Sequence, residues 1–142
     1  PVSTGERLTT KYEFHAVLEA GAAAILQMAL GRVGGLWEAR KIASMAEASY
    51  AQIAPHLYAG PIEAAANVQL CACTPNVLIL EGIQQWGGFH ADLLKTPITW
   101  ADGFVHPPEA PGLGVELDED VAAAHPYTGT ALHLEMREEP VL

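Results

Sequence analysis

The stretch Gln52-Ile53-Ala54-Pro55-His56 indicates how this chain folds. A short apolar run ends at Pro55-His56, as expected for a strand whose last residue carries a chemically active side chain. Gly60-Pro61 then interrupts the chain, and Pro61 suits the first turn of a helix that we predict to run to about Ala72. A strand followed directly by a helix is the repeating unit of parallel α/β folds.

The same alternation extends on both sides of this stretch. Thr10 and Glu13 fit a capping box at the start of a helix. The further predicted elements are a strand tail at 1–6, a helix to residue 21, a strand over 24–27, a helix over 36–50 and a buried strand over 77–80. Short connections between strands and helices argue for βαβ units around a parallel sheet. Such crossovers are right-handed, which places the helices outside a barrel or on the faces of an open sheet.

The predicted alternation of strands and helices ends after Glu81. Residues 84–114 are rich in Trp, Gly and Pro, and we predict little regular structure there. Long irregular stretches are usually functional or wrap another domain. A short helix is predicted over 118–124, followed by an acidic tail.

Composition narrows the class of protein. The 142 residues are 50% hydrophobic, enough for one sizeable core, and 7 basic against 17 acidic residues give a net charge of −10. This balance argues against a nucleic-acid or membrane-surface partner, because both need clustered Lys and Arg. No apolar stretch approaches the length of a membrane span. We expect a soluble, cytoplasmic protein.

Two further features bear on the context of the chain. Cys71 and Cys73 point in different directions on a helix, so we expect two buried free thiols in a reducing compartment. The first residue is Pro1 rather than Met, and the chain starts in what reads as the middle of a strand. We therefore expect it to be part of a longer protein.

Each of three apolar segments ends in an acid or a base: Glu6, His56 and Glu81. In a parallel α/β barrel the C-terminal strand ends meet on one face, so these residues can surround one small molecule. Two carboxylates and an imidazole could bind a metal ion and move a proton. This spacing is the main reason to interpret the chain as part of an enzyme.

With these residues in view, the chain resembles the C-terminal part of the enolase superfamily. It is most similar to the mandelate racemase and muconate-lactonising branch, and within it to acid-sugar dehydratases of the galactonate type. The resemblance covers nearly the whole chain in order and spacing. The matching pieces are Thr4-Gly5-Glu6-Arg7, Ile25-Leu26-Gln27, Gly34-Gly35-Leu36, Ala39-Arg40-Lys41-Ile42-Ala43, Met45-Ala46-Glu47-Ala48, Ala54-Pro55-His56, Gly60-Pro61, Leu80-Glu81 and Pro111-Gly112-Leu113-Gly114-Val115-Glu116.

The resemblance implies an α/β fold, the C-terminal half of a modified TIM-type (β/α)7β barrel, with a tail returning to an α+β capping domain that this chain lacks. Residues 1–82 would be the barrel half, and residues 83–142 would be a post-barrel segment packing on the barrel and the capping domain.

The resemblance also implies roles for the strand-end residues. Glu6 matches the family's third Mg²⁺ ligand, His56 matches its acid/base histidine, and Glu81 matches a glutamic acid that hydrogen-bonds the substrate carboxylate or enolate. Mg²⁺ prefers hard oxygen ligands, and imidazole suits proton exchange near neutral pH. We expect the other histidines to be surface or packing residues, with His90 a weaker candidate for a loop over the site.

One position departs from the family pattern. Ala29 stands where many relatives have an Asp that hydrogen-bonds the catalytic histidine. Without that partner His56 should be a weaker base and less firmly oriented. Either another group substitutes, or His56 serves mainly as an acid, or the activity is impaired.

The implied function is Mg²⁺-dependent dehydration of a small-molecule sugar acid by a homo-oligomeric enzyme. Racemisation or epimerisation within the same superfamily is the first alternative, because it shares the enolate. The second alternative is a non-catalytic truncated half-barrel, because the chain lacks the other metal ligands.

Overall fold

A computed structural model of the protein describes residues 1–82 and 86–128. Its centre is a parallel sheet of three short strands in the order β1-β2-β3. Thr4 pairs with Leu26, and Leu26 pairs with Ile53. The elements in chain order are β1 Ser3–Thr4, α1 Lys11–Glu19, β2 Ile25–Leu26, α2 Leu30–Val33, α3 Leu36–Ala48, β3 Gln52–Ile53, α4 Pro61–Ala72, α5 Phe89–Asp92, β4 Trp100–Ala101, β5 Phe104–Val105 and α6 Glu119–Ala124.

The helices begin where local chemistry favours them. Thr10 caps α1, and the side chain of Glu13 accepts a hydrogen bond from the Thr10 backbone N–H at 2.8 Å, which confirms the capping box. Pro61 is the first residue of α4, which ends at Ala72 as predicted. Helix α3 ends at Ala48, earlier than predicted, and Tyr50 takes a positive φ of 57°.

Two apolar clusters hold the chain together. The first lies between the sheet and helices α1 and α3 and is centred on fully buried side chains such as Phe14, Leu26, Ile42 and Ile53. The second joins α4 to the segment after residue 86. Its buried members are Leu57, Ala64, Ala65, Leu94 and Ile98, with Trp86 and Trp100 packed against them.

The predicted buried strand over 77–80 is only partly observed. Val77 forms a parallel bridge with Ile53, and the Leu78 N–H donates to the Ile53 carbonyl at 2.8 Å. The expectation of burial is wrong, since Leu78 is 50% exposed and Ile79 is 64% exposed. The reason is topological: in the described part of the chain, this segment pairs with β3 and no further strand covers its other side.

The stretch after Glu81 is more regular than predicted. Helix α5 and a hairpin of β4 and β5 lie within it. Asp102 and Gly103 form the hairpin turn with φ values of 52° and 81°. An Asp-Gly pair is a strong signal for such a two-residue turn, because both positions need positive φ. The short helix expected over 118–124 is present, with Asp118 as its cap.

The two cysteines are free, but the expectation that both are buried is wrong for Cys73, which is exposed. It follows the last residue of α4, whereas Cys71 lies within the helix and is half-buried. Burial, with a smaller contribution from Cys73, raises the pKa of the Cys71 thiol to about 11. None of the helices in the described residues is long and apolar enough to cross a membrane.

Candidate active site at the strand ends

The three strand-end residues come together in the structure. His56 Nδ1 lies 2.7 Å from Glu81 Oε2, although the two residues are 25 positions apart. The same nitrogen lies 3.7 Å from Glu6 Oε2. The cluster forms because β1, β3 and the segment that begins at Val77 run parallel in one sheet, with β2 between β1 and β3, so their C-terminal ends share one edge.

The cluster is reachable from outside. The His56 side chain is 21% exposed, while those of Glu6 and Glu81 are 55% and 46% exposed. A small molecule approaching the strand ends would meet all three side chains.

Gly5 sets the backbone path that leads to Glu6. Its φ is +131°, a conformation that glycine adopts readily and other residues adopt only under strain. A Cβ atom at this position would lie 2.5 Å from Cε1 of Phe14, whose ring is fully buried. The core under the turn therefore requires glycine here. Arg7 follows, with its Nε 4.0 Å from Glu6 Oε1.

Ala29 lies directly beside His56. The two residues form a parallel bridge, and the His56 N–H donates to the carbonyl of Met28 at 3.0 Å. Ala29 also occupies the N-cap position of α2, where its side chain makes no capping hydrogen bond. Glu63 instead accepts from the Gly31 N–H at 3.2 Å, in the first turn of that helix. The carboxylate that contacts His56 thus comes from Glu81 and not from position 29.

His90 lies in a different place from the cluster. It lines a cavity of about 350 Å³ together with Trp86, Trp100 and Pro61. His15 pairs with Glu19 on α1, and the ring of His125 stacks on Phe89. The backbone N–H of His106 donates to the Thr99 carbonyl, while His133 lies outside the described residues.

The residues present do not form a metal site by themselves. Nowhere in 1–82 or 86–128 do three His, Cys, Asp or Glu side chains stand in an arrangement that could hold a metal ion. Mg²⁺ needs about six oxygen ligands in octahedral geometry, and one of the two carboxylates here is already engaged with His56. Glu6 is the carboxylate left available.

The positions of these three residues at strand ends can be predicted from the sequence, but their mutual contacts cannot. The hydrogen bond between His56 and Glu81 depends on how far the segment 77–80 runs beside β3 and on the rotamers at its end. No local motif encodes either quantity.

Comparison with known proteins identifies the family. The model of the family described as enolase C-terminal domain-like matches residues 1–121. The chain belongs to this family. It represents the C-terminal part of its α/β barrel, in agreement with the parallel sheet and flanking helices.

Individual proteins that the chain resembles belong to the same group of enzymes. D-galactonate dehydratase from Ralstonia nicotianae is 41% identical over 84% of this chain, and D-xylonate dehydratase from Haloferax volcanii is 37% identical over 93%. A crystal structure of a mandelate racemase/muconate lactonizing enzyme from Sulfitobacter shares 64% identity and a TM-score of 0.88, covering 99% of this chain and 35% of that one. The chain spans about a third of the length of the curated relatives, 33% and 32% respectively.

Proposed function

We propose that the full-length protein containing this chain is a Mg²⁺-dependent sugar-acid dehydratase, a hydro-lyase. The observation that carries the proposal is the convergence of Glu6, His56 and Glu81 at the strand ends of a chain whose curated relatives include dehydratases of two sugar acids. A site with two carboxylates and an imidazole is suited to removing a proton and assisting the departure of a hydroxyl group.

The reaction is a β-elimination of water. A base takes the proton from the carbon next to the substrate carboxylate, the electron pair forms a double bond, and the β-hydroxyl leaves with a proton as water. The enol product tautomerises to a 2-keto-3-deoxy acid. In this scheme His56 delivers or accepts a proton, which an imidazole does efficiently near neutral pH.

The two carboxylates take different tasks. Glu81, as a protonated acid, is proposed to donate a hydrogen bond to the substrate carboxylate or to the enolate that develops from it. Glu6 is proposed as one ligand of Mg²⁺, which would neutralise negative charge on that enolate. The other metal ligands and a second acid/base would come from segments outside this chain, because the described residues hold no complete metal site.

A racemase or epimerase of the same superfamily is the competing function. The solved relative from Sulfitobacter carries a name from the racemase and lactonizing branch, and racemisation passes through the same enolate. The two functions differ in whether the β-hydroxyl leaves or a proton returns to the opposite face.

We also propose that the protein acts as a cytoplasmic homo-oligomer. The free thiols of Cys71 and Cys73 are compatible with a reducing compartment. We further propose a division into a barrel part over 1–82 and a post-barrel segment over 83–142, in which the second apolar cluster packs described residues of the later segment against α4. Sedimentation of the purified protein and fractionation of its natural host test the assembly and the compartment.

The function is tested by offering aldonic and aldaric acids to the full-length protein with Mg²⁺. Formation of a 2-keto-3-deoxy acid supports dehydration, whereas an epimer without loss of water supports the competing function. The mass of the protein chain, as its natural host produces it, tests the non-catalytic alternative. A chain near 15.1 kDa that turns over no sugar acid would contradict both enzymatic functions.

A further inference from the structure

We infer that Glu81 is the positioning residue of His56, replacing the carboxylate that position 29 does not provide; this rests on the proposed function of His56. The observation is the 2.7 Å contact between His56 Nδ1 and Glu81 Oε2. Ala29, which forms a parallel bridge with His56, offers only a methyl group. An imidazole whose Nδ1–H is held by a carboxylate has a fixed tautomer and a fixed ring orientation.

The geometry distinguishes Glu81 from the other charged groups near the ring. Glu6 Oε2 is 3.7 Å from Nδ1, beyond hydrogen-bonding distance. Arg7 Nε lies 4.0 Å from Glu6 Oε1. A neutral imidazole has a single N–H. Because Glu81 Oε2 is within hydrogen-bonding distance of Nδ1 and Glu6 Oε2 is not, we place that hydrogen on Nδ1, where it is donated to Glu81.

The contact has a chemical consequence. When Nδ1 donates to Glu81, Nε2 is left without a hydrogen and is the atom that exchanges a proton with a substrate. The second oxygen of Glu81 stays available for the substrate. Glu81 therefore acts through His56 as well as beside it, and its removal should affect turnover more than substrate binding.

The neighbouring position supplies a means of testing this assignment. Paired residues on adjacent parallel segments direct their side chains to the same side, so an Asp at position 29 would lie next to the His56 ring. The double variant Ala29→Asp with Glu81→Leu moves the carboxylate from one neighbour of His56 to another. A Leu at position 81 has a similar size and no acceptor.

The experiment is performed on the full-length protein labelled with ¹⁵N-histidine. The tautomer of His56 is read by NMR at a pH of about 8.5, where histidine rings are ordinarily neutral. We expect the Nδ1–H form in the unmodified protein, its loss in Glu81→Leu, and its retention in the matched variant Glu6→Leu. An unchanged tautomer in Glu81→Leu, or a shift in Glu6→Leu, would overturn the inference.

Turnover provides the second readout. Glu81→Leu should lower kcat by about 10- to 100-fold, the usual effect of losing an outer partner that orients a histidine, with a smaller change in KM. Ala29→Asp should restore both the tautomer and part of kcat in the double variant. Restoration of the tautomer with no recovery of kcat would overturn the contribution of positioning to turnover and leave Glu81 with its substrate contact alone. If the unmodified protein dehydrates no sugar acid while the tautomer responds as expected, the proposed function fails and the positioning role stands.

Discussion

Ala29 forms a parallel bridge with His56 at the C-terminal edge of the sheet, and its methyl group is the only side-chain group that it offers to the imidazole. The side of the ring that faces Ala29 is therefore apolar. The orientation of His56 depends on Glu81 and on the backbone hydrogen bond to Met28. The carboxylate that contacts the His56 ring at hydrogen-bonding distance therefore comes from the segment after residue 76, whereas the segment after β2 contributes a backbone carbonyl.

Replacement of Gly5 tests how the site is joined to the core. Gly5→Ala should destabilise the chain by about 2–5 kcal/mol, because the backbone strain at φ +131° adds to overpacking against Phe14. Gly35→Ala is the matched control, since Gly35 also has a positive φ, +91°, but no atom lies within 4 Å of an added Cβ. Denaturant unfolding measures both. Equal losses in the two variants would contradict the proposed contact with Phe14.

The capping box predicts a specific pH dependence. Hydrogen bonds from the backbone N–H groups of Thr9 and Thr10 hold the pKa of Glu13 below its ordinary value. A carboxyl group with a lowered pKa in the folded state stabilises the fold above its ordinary titration range, and this stabilisation is lost as the pH falls through its folded pKa.

The difference in unfolding free energy between the unmodified chain and Glu13→Gln should thus be largest near neutral pH and should shrink below pH about 4. Glu47→Gln, an exposed change on α3, is the control. A difference that stays constant between pH about 7 and about 3 would show that the charge of Glu13 plays no part.

The two thiols should differ strongly in reactivity. With a pKa of about 11, only about 10⁻³ of the Cys71 side chain is thiolate at pH about 8, and the side chain is also half-buried. Alkylation followed by fragment-ion mass measurement should show fast modification at the exposed Cys73 and slow modification at Cys71. Cys73→Ser should abolish the fast phase. Equal rates at the two cysteines would contradict the burial of Cys71.

Gln69 should anchor the segment after the barrel part. Its Nε2 donates to the carbonyls of Pro108 and Leu113 at 3.0 and 3.3 Å. Gln69→Ala removes both bonds, so we expect the amide of Gly114 to exchange with solvent about 10-fold faster. The exposed change Gln52→Ala should leave that rate unaltered. Unaltered exchange in Gln69→Ala would mean that other contacts hold the segment.

Much of the fold follows from local chemistry that can be read in the sequence. The capping box at Thr10 and the proline at the start of α4 specify helix ends through a few neighbouring atoms, and both are observed. The hairpin was predictable in principle from Asp102-Gly103, whose turn signal is as local as a cap. The proline and tryptophan residues around this pair nevertheless favour irregular structure.

The remaining features depend on distant parts of the molecule. An apolar run such as 77–80 predicts burial only if elements exist on both of its sides, and Leu78 and Ile79 are exposed. The partner of His56 could not be predicted either, because several residues at one edge compete for the same nitrogen. Only the distances of 2.7 and 3.7 Å distinguish Glu81 from Glu6.

His56 is proposed to move the proton in the dehydration of a sugar acid. The most direct measurement compares kcat of the full-length protein with that of His56→Asn on the sugar acid that gives a 2-keto-3-deoxy product. His15→Asn on α1 is the control. We expect His56→Asn to lower kcat by about 10²- to 10⁴-fold, the usual contribution of a positioned acid or base, and His15→Asn to leave it unchanged. Nearly intact turnover in His56→Asn would contradict the account.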